Sequence, residues 1–181
     1  MDDGILTVTA SLFLGLVLVG AALAKLAHWT AFRGVVGSYR ILPDVLVVPF
    51  AWVLPPVEVA VGAGLALRVG TRWAALLAAG LFLIFAIAMA VNLARGRTHI
   101  DCGCFQSALR QSIDWRLVAR NGGLAALSLA VAMSSSVPAE ATALWLTAFP
   151  AAAVFYGLYL AVNSVWALDE SLRSAFPRSF V

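Results

Sequence analysis

Charge is what this sequence has least of. Only 12% of its 181 residues are Asp, Glu, Lys or Arg, against roughly 25% in soluble domains. A soluble chain of this length can bury a core, but it must cover that core with polar side chains. Here 62% of the residues are hydrophobic and mean hydropathy is +0.95. The shortage excludes an ordinary soluble domain and points to lipid as the solvent. Basic runs interleaved with aromatics are also missing, so nucleic acid is not an expected partner. With two histidines in the chain, iron held by paired His is not expected either. No quinone or haem motif can be named, and no cofactor is expected. Ten-residue alternating segments, the mark of a membrane β-barrel, do not occur.

Long apolar runs take their place. Ile5–Ala24 holds 20 residues without a charge, Val45–Leu67 is apolar apart from Glu58, and Trp73–Ala94, Asn121–Ala139 and Ala141–Leu168 are uncharged throughout. About 20 apolar residues span a bilayer as a helix, and the fourth run only just reaches that length. The fold class is therefore all-α: an integral membrane protein of about five transmembrane helices. It is expected as a single transmembrane domain over residues 1–181, with helices near 5–27, 45–67, 72–95, 116–135 and 141–167. A cleaved signal peptide is the competing reading of the first run. The acidic start Met1-Asp2-Asp3 and the length of the run speak against it. Trp29, Trp52, Trp73, Trp115 and Trp166 fall near expected helix ends, as aromatic belts do.

The connections are short. The longest are Lys25–Asp44, whose amphipathic character suggests a helix lying in the membrane interface, and Arg95–Arg120. Their charges set an orientation. Loops one and three plus the C-terminus carry Lys25, Arg33, Arg40, Arg95, Arg97, Arg110, Arg116, Arg120, Arg173 and Arg178, whereas the other side holds Arg68 and Arg72. Ten against two puts loops one and three in the cytoplasm and the N-terminus outside. The expected location is the inner, plasma membrane, crossed several times.

The two cysteines lie together in His99-Ile100-Asp101-Cys102-Gly103-Cys104-Phe105. One chemistry for such a pair is redox. Gly103 eases the tight turn that a Cys-Gly-Cys disulfide ring needs, and strained, exposed disulfides are the labile ones. Nearby Arg95, Arg97 and Arg110 favour a thiolate, while Asp101 opposes it. A second chemistry is metal binding by His99, Asp101, Cys102 and Cys104, ligand types suited to zinc or copper, although zinc sites space their cysteines more widely. A third possibility is a structural, buried pair.

Two polar residues in apolar surroundings are further candidates. Glu58 lies mid-helix, where a carboxylate needs a partner or a proton. It is either a proton relay or exchange base, or a structural hydrogen-bond acceptor facing Asn92 or Asn163. Arg120 either anchors a helix end at the interface or lines the cysteine site and lowers a thiol pKa.

These residues resemble the MauE family of methylamine-utilisation membrane proteins, relatives of the broader DoxX-like membrane proteins. The likeness rests on Asn92-Leu93-Ala94-Arg95-Gly96-Arg97, Asp101-Cys102-Gly103-Cys104-Phe105 and Val118-Ala119-Arg120-Asn121. Upstream it takes in Lys25, Phe32, Tyr39, Leu42-Pro43 and Leu54-Pro55-Pro56-Val57-Glu58. It covers roughly residues 10 to 130. Gln106 departs from it, standing where the family pattern usually has Gly. The resemblance implies a DoxX-like helical bundle that acts in maturation of a partner, with a general thiol-redox role; together with the reading of the residues it makes Cys102, Cys104, Glu58 and Arg120 the expected catalytic residues. It further implies a thioredoxin-like, MauD-type partner and an exported, disulfide-containing client, in the family the small subunit of methylamine dehydrogenase.

The leading expectation is thus a membrane thiol–disulfide oxidoreductase. The alternatives are a non-catalytic assembly factor or chaperone that docks a thioredoxin-like partner, and a metal-binding membrane protein. One tension stands: an exported client is oxidised outside the cytoplasm, yet the charge bias puts the cysteines at the cytoplasmic face.

Overall fold

A computed structural model describes residues 2–98, 100, 112–134 and 142–175. Among these residues the chain forms six helices: α1 (Asp2–Ala27), α2 (Trp29–Ser38), α3 (Asp44–Ala66), α4 (Thr71–Ala94), α5 (Trp115–Met133) and α6 (Thr142–Ala175). The all-helical expectation is met. Four of them, α1, α3, α4 and α6, contain stretches long and apolar enough to cross a membrane. α5 occupies the fourth expected segment. It is shorter, and Arg116, Arg120 and Asn121 make its first two turns polar. The short helix α2 lies within the first long connection. It buries Phe32 and leaves Arg33 exposed, the two-faced pattern of an interfacial helix.

Outward faces confirm lipid as the solvent. Leu77, Ile87, Val154 and Val165 are all about 60% exposed. Large aliphatic side chains displayed on successive helices have no use in water, but they suit a hydrocarbon surround.

α1 is the hub of the bundle, and its backbone approaches each of the other five helices. More than half of its apolar span is buried (56%), against 17% for α6. The central core joins Leu14, Val17 and Leu18 of α1 to Leu65 of α3, Phe82 of α4 and Leu124 of α5. A second cluster seats Val8 and Leu12 of α1 on Ala148 and Ala152 of α6.

Small residues fix how α1 meets α3. A Cβ on Gly15 would lie 2.8 Å from the Gly62 carbonyl oxygen, and one on Gly62 would lie 2.9 Å from that of Gly15. The two backbones therefore touch where neither residue has a side chain, the device by which membrane helices gain dispersion contact. One helical step away, Ser11 Oγ donates to the Leu65 carbonyl at 2.8 Å. These two points set an antiparallel register between α1 and α3. Pro49, Pro55 and Pro56 lie inside α3. They remove donors from its hydrogen-bond ladder, which packed neighbours in a membrane bundle tolerate.

Candidate functional site

The α1–α3 register brings Lys25, in the last turn of α1, opposite Glu58. Lys25 Nζ donates to Glu58 Oε1 at 2.6 Å and to Oε2 at 2.8 Å. The side chains are 3% and 0% exposed. A cation and an anion removed from water each carry a penalty of several kcal/mol, and only close, well-directed pairing offsets it. Two short charge-assisted bonds meet that need. The aromatic faces of Phe32 and Phe85 add to it, with ring centroids 5.7 and 5.2 Å from Nζ.

This corrects the partners expected for Glu58. Asn92 and Asn163 are both buried, but their amides are directed elsewhere. Asn92 Nδ2 donates to the Ala88 carbonyl, and its Oδ1 accepts from Arg97 at 3.3 Å. Asn163 Nδ2 donates to the Tyr159 carbonyl, and its Oδ1 accepts from Arg120. It also corrects the place of Lys25, which is not a loop cation but lies inside the bundle. A signal for this was present in the sequence. Lys25 follows 21 uncharged residues and is followed by Leu26 and Ala27, so it continues the apolar helix rather than ending it.

Arg120 sits in the second turn of α5. Its guanidinium donates through Nη1 to Asn163 and lies over the Tyr159 ring at 5.6 Å. Among the described residues the α5 and α6 backbones do not approach as those of α1 and α6 do. Long side chains cross the gap between them instead. With Lys25 and Arg120 both engaged within the bundle, eight of the ten cations counted for orientation remain, still against Arg68 and Arg72.

Cys102, Cys104, Asp101 and His99 lie outside the described residues. The backbone that frames them is described. Ile113 N–H donates to the Ile100 carbonyl at 2.8 Å. Ile113 is buried with Met89 and Leu117, against Ile100, Tyr39 and Phe85. At the end of α4, Gly96 adopts φ +71°, a left-handed value that costs glycine little. Arg97 Nη1 then reaches back to the Tyr39 carbonyl at 3.5 Å. The residues on either side of the cysteine motif are thus fastened to Tyr39, just past α2, and to α4 and α5.

The same neighbourhood holds a cavity of about 180 Å³ between the end of α1, α2, α3 and α4. Its walls include Phe32, Leu54, Phe85 and Met89, with Lys25 and Tyr39 as its polar contributors. Phe85, Met89 and Tyr39 line this cavity and also pack in the cluster that holds Ile100 and Ile113.

The sequence is similar to known proteins. The family model described as "Methylamine utilisation protein MauE" matches residues 3–134, a stretch that holds Lys25, Glu58, both cysteines and Arg120 but not Asn163. The methylamine utilization protein MauE of Paracoccus denitrificans is 50% identical over 133 residues, 72% of each chain. Its namesake in Methylorubrum extorquens is 42% identical over 132 residues, 73% of this chain and 71% of that one. The Methylophilus methylotrophus protein of the same name is 42% identical over 170 residues, 90% of this chain and 87% of that one. No solved structure gives a significant match.

Proposed function

Because the chain belongs to the family of the methylamine utilisation protein MauE, we propose that it is a multi-pass membrane factor in methylamine utilisation that exchanges disulfides with a partner protein through Cys102 and Cys104. The observation that carries this reading is the pair itself. The chain has two cysteines, and they flank a single glycine. The fastening of Ile100 to Ile113 supports it, because it fixes to the bundle the backbone on either side of the motif.

The exchange balances without any other reactant. One thiolate attacks a partner disulfide, forming a mixed disulfide and releasing a partner thiolate. The second cysteine then attacks its neighbour's sulfur, leaving a Cys102–Cys104 disulfide and a reduced partner. Run in reverse, the same steps oxidise the partner. A thioredoxin-like, MauD-type protein is the proposed partner, and an exported disulfide-containing protein the client. In this reading Glu58 and Arg120 act as positioning residues. Glu58 locks α1 to α3 through Lys25, and Arg120 ties α5 to α6.

Single Cys102→Ser and Cys104→Ser variants test the proposal. Each should abolish maturation of the client, and one should accumulate a covalent complex with the partner that reductant releases. Full activity in both variants would sink the idea. Labelling the thiols from each side of the membrane, with and without reductant, reads redox state and orientation together. The charge bias puts the motif on the cytoplasmic side; labelling only from the outside would reverse that assignment.

A further inference from the structure

The cavity beside Lys25 is not used by the proposed exchange. An ammonium group has three donors. Two of them go to the Glu58 carboxylate, and among the described residues no acceptor meets the third. What surrounds it are the faces of Phe32 and Phe85, which attract the charge but replace a hydrogen-bond acceptor poorly. Lys25 is 2% exposed and lines the cavity. A buried donor thus borders an apolar space.

The charge balance of the site narrows what fills it. Lys25 and Glu58 already neutralise each other, so an anionic head group would bring an uncompensated charge into a low-dielectric space. A neutral acceptor would not. Water is a weaker fit, since a buried water needs roughly two to four polar partners, and of the two polar residues in the wall, Lys25 and Tyr39, the second already has a partner. Size agrees with a larger guest. A cavity of about 150 Å³ admits a benzene-sized ring, and this one measures about 180 Å³.

We propose that this cavity binds a neutral, membrane-soluble molecule through a carbonyl oxygen that accepts the third N–H of Lys25, with the apolar body of the guest against Phe32, Leu54 and Phe85. Two sources present that chemistry in a bilayer: a quinone ring and the ester carbonyl of a neutral lipid. The site stands whether or not the cysteines exchange disulfides, because its test reads binding alone.

The full chain, in nanodiscs of ether-linked phosphatidylcholine, which carries no ester carbonyl, and free of quinone, is titrated separately with decylubiquinone and with dioctanoylglycerol. Thermal stability is followed in both titrations, and tryptophan fluorescence in the quinone titration. Trp29 packs on Trp52 with ring centroids 4.5 Å apart and lies against Phe32 of the cavity wall, which makes it a local reporter. The expected result is saturable stabilisation by at least one probe, with saturable quenching if the guest is the quinone. Lys25→Met would take the cation from a buried carboxylate and can fail to fold. The informative variant is therefore Ala88→Leu, which fills the cavity from its α4 wall and spares the ion pair. It should weaken binding at least tenfold while the chain stays folded. Stabilisation by the quinone alone identifies a quinone site, and stabilisation by the diacylglycerol alone identifies a lipid-ester site. No saturation with either probe, or binding unchanged in Ala88→Leu, overturns the proposal.

Discussion

Lys25 and Arg120 both reach from one helix to another, and they are held by opposite means. Lys25 is 2% exposed and meets a full negative charge, Glu58, at 2.6 and 2.8 Å. Arg120 is only part-buried, and meets a neutral amide and an aromatic face on α6. The first pair joins α1 and α3 where their backbones touch at Gly15 and Gly62. The second spans two helices whose backbones stay apart. The difference follows from depth and reach. A charge sealed from water needs a counter-charge, whereas a long side chain near a helix end can keep part of its hydration and needs only polar company. One interaction therefore locks a core crossing that the glycines define. The other attaches a peripheral helix.

Breaking the first pair should have the largest effect. Lys25→Met leaves a buried carboxylate without its cation, and should cost about 3–5 kcal/mol. The measurement is the midpoint of detergent-driven unfolding, followed by circular dichroism. Replacing both partners, Lys25→Met with Glu58→Leu, should recover most of that loss, because apolar residues of similar volume often serve as well as a buried pair. A single variant as stable as the parent would mean that the pair is hydrated, and the contrast with Arg120 would vanish.

Next in size is the backbone crossing. Gly62→Leu drives a side chain into the Gly15 carbonyl and Val19, and overpacking of this kind costs about 1–3 kcal/mol. In the same assay its effect should overlap with that of Lys25→Met rather than add to it, since both act through one register. Simple additivity would show that the crossing and the ion pair are independent.

The smallest change belongs to the periphery. Asn163→Ala removes the acceptor of Arg120 and should cost about 0.6 kcal/mol, the average for polar contacts between membrane helices. A loss as large as that of Lys25→Met would make the α5–α6 attachment a second core.

The apolar runs made the helices legible, because lipid demands length and apolarity that are visible residue by residue. Glu58 was legible as a group in need of a partner for the same reason. The identity of that partner was not. It depends on which face of α1 meets α3, and this is decided by glycines at positions 15 and 62 that look alike in any apolar run. Lys25 was counted with the loops because charge at the end of a helix usually marks the membrane boundary. The resemblance to the family rested on short motifs around both cysteines and Arg120, and the matched region 3–134 contains them. Asn163 lies beyond that region, and no local pattern tied it to Arg120.

The Lys25–Glu58 pair also imposes an order on biosynthesis. Glu58 is made 33 residues after Lys25, which at about 5–20 residues per second leaves the lysine without its counter-charge for roughly 2–7 s. At the bilayer centre an unpaired cation would cost about 2.5–3.5 kcal/mol, and from the last turn of α1 the Lys25 side chain avoids that depth by reaching toward the head groups. The end of α1 must therefore wait near the lipid head groups until α3 has been delivered. Final seating of the first helix is then a step that follows insertion, and it is completed only when the third helix arrives beside it.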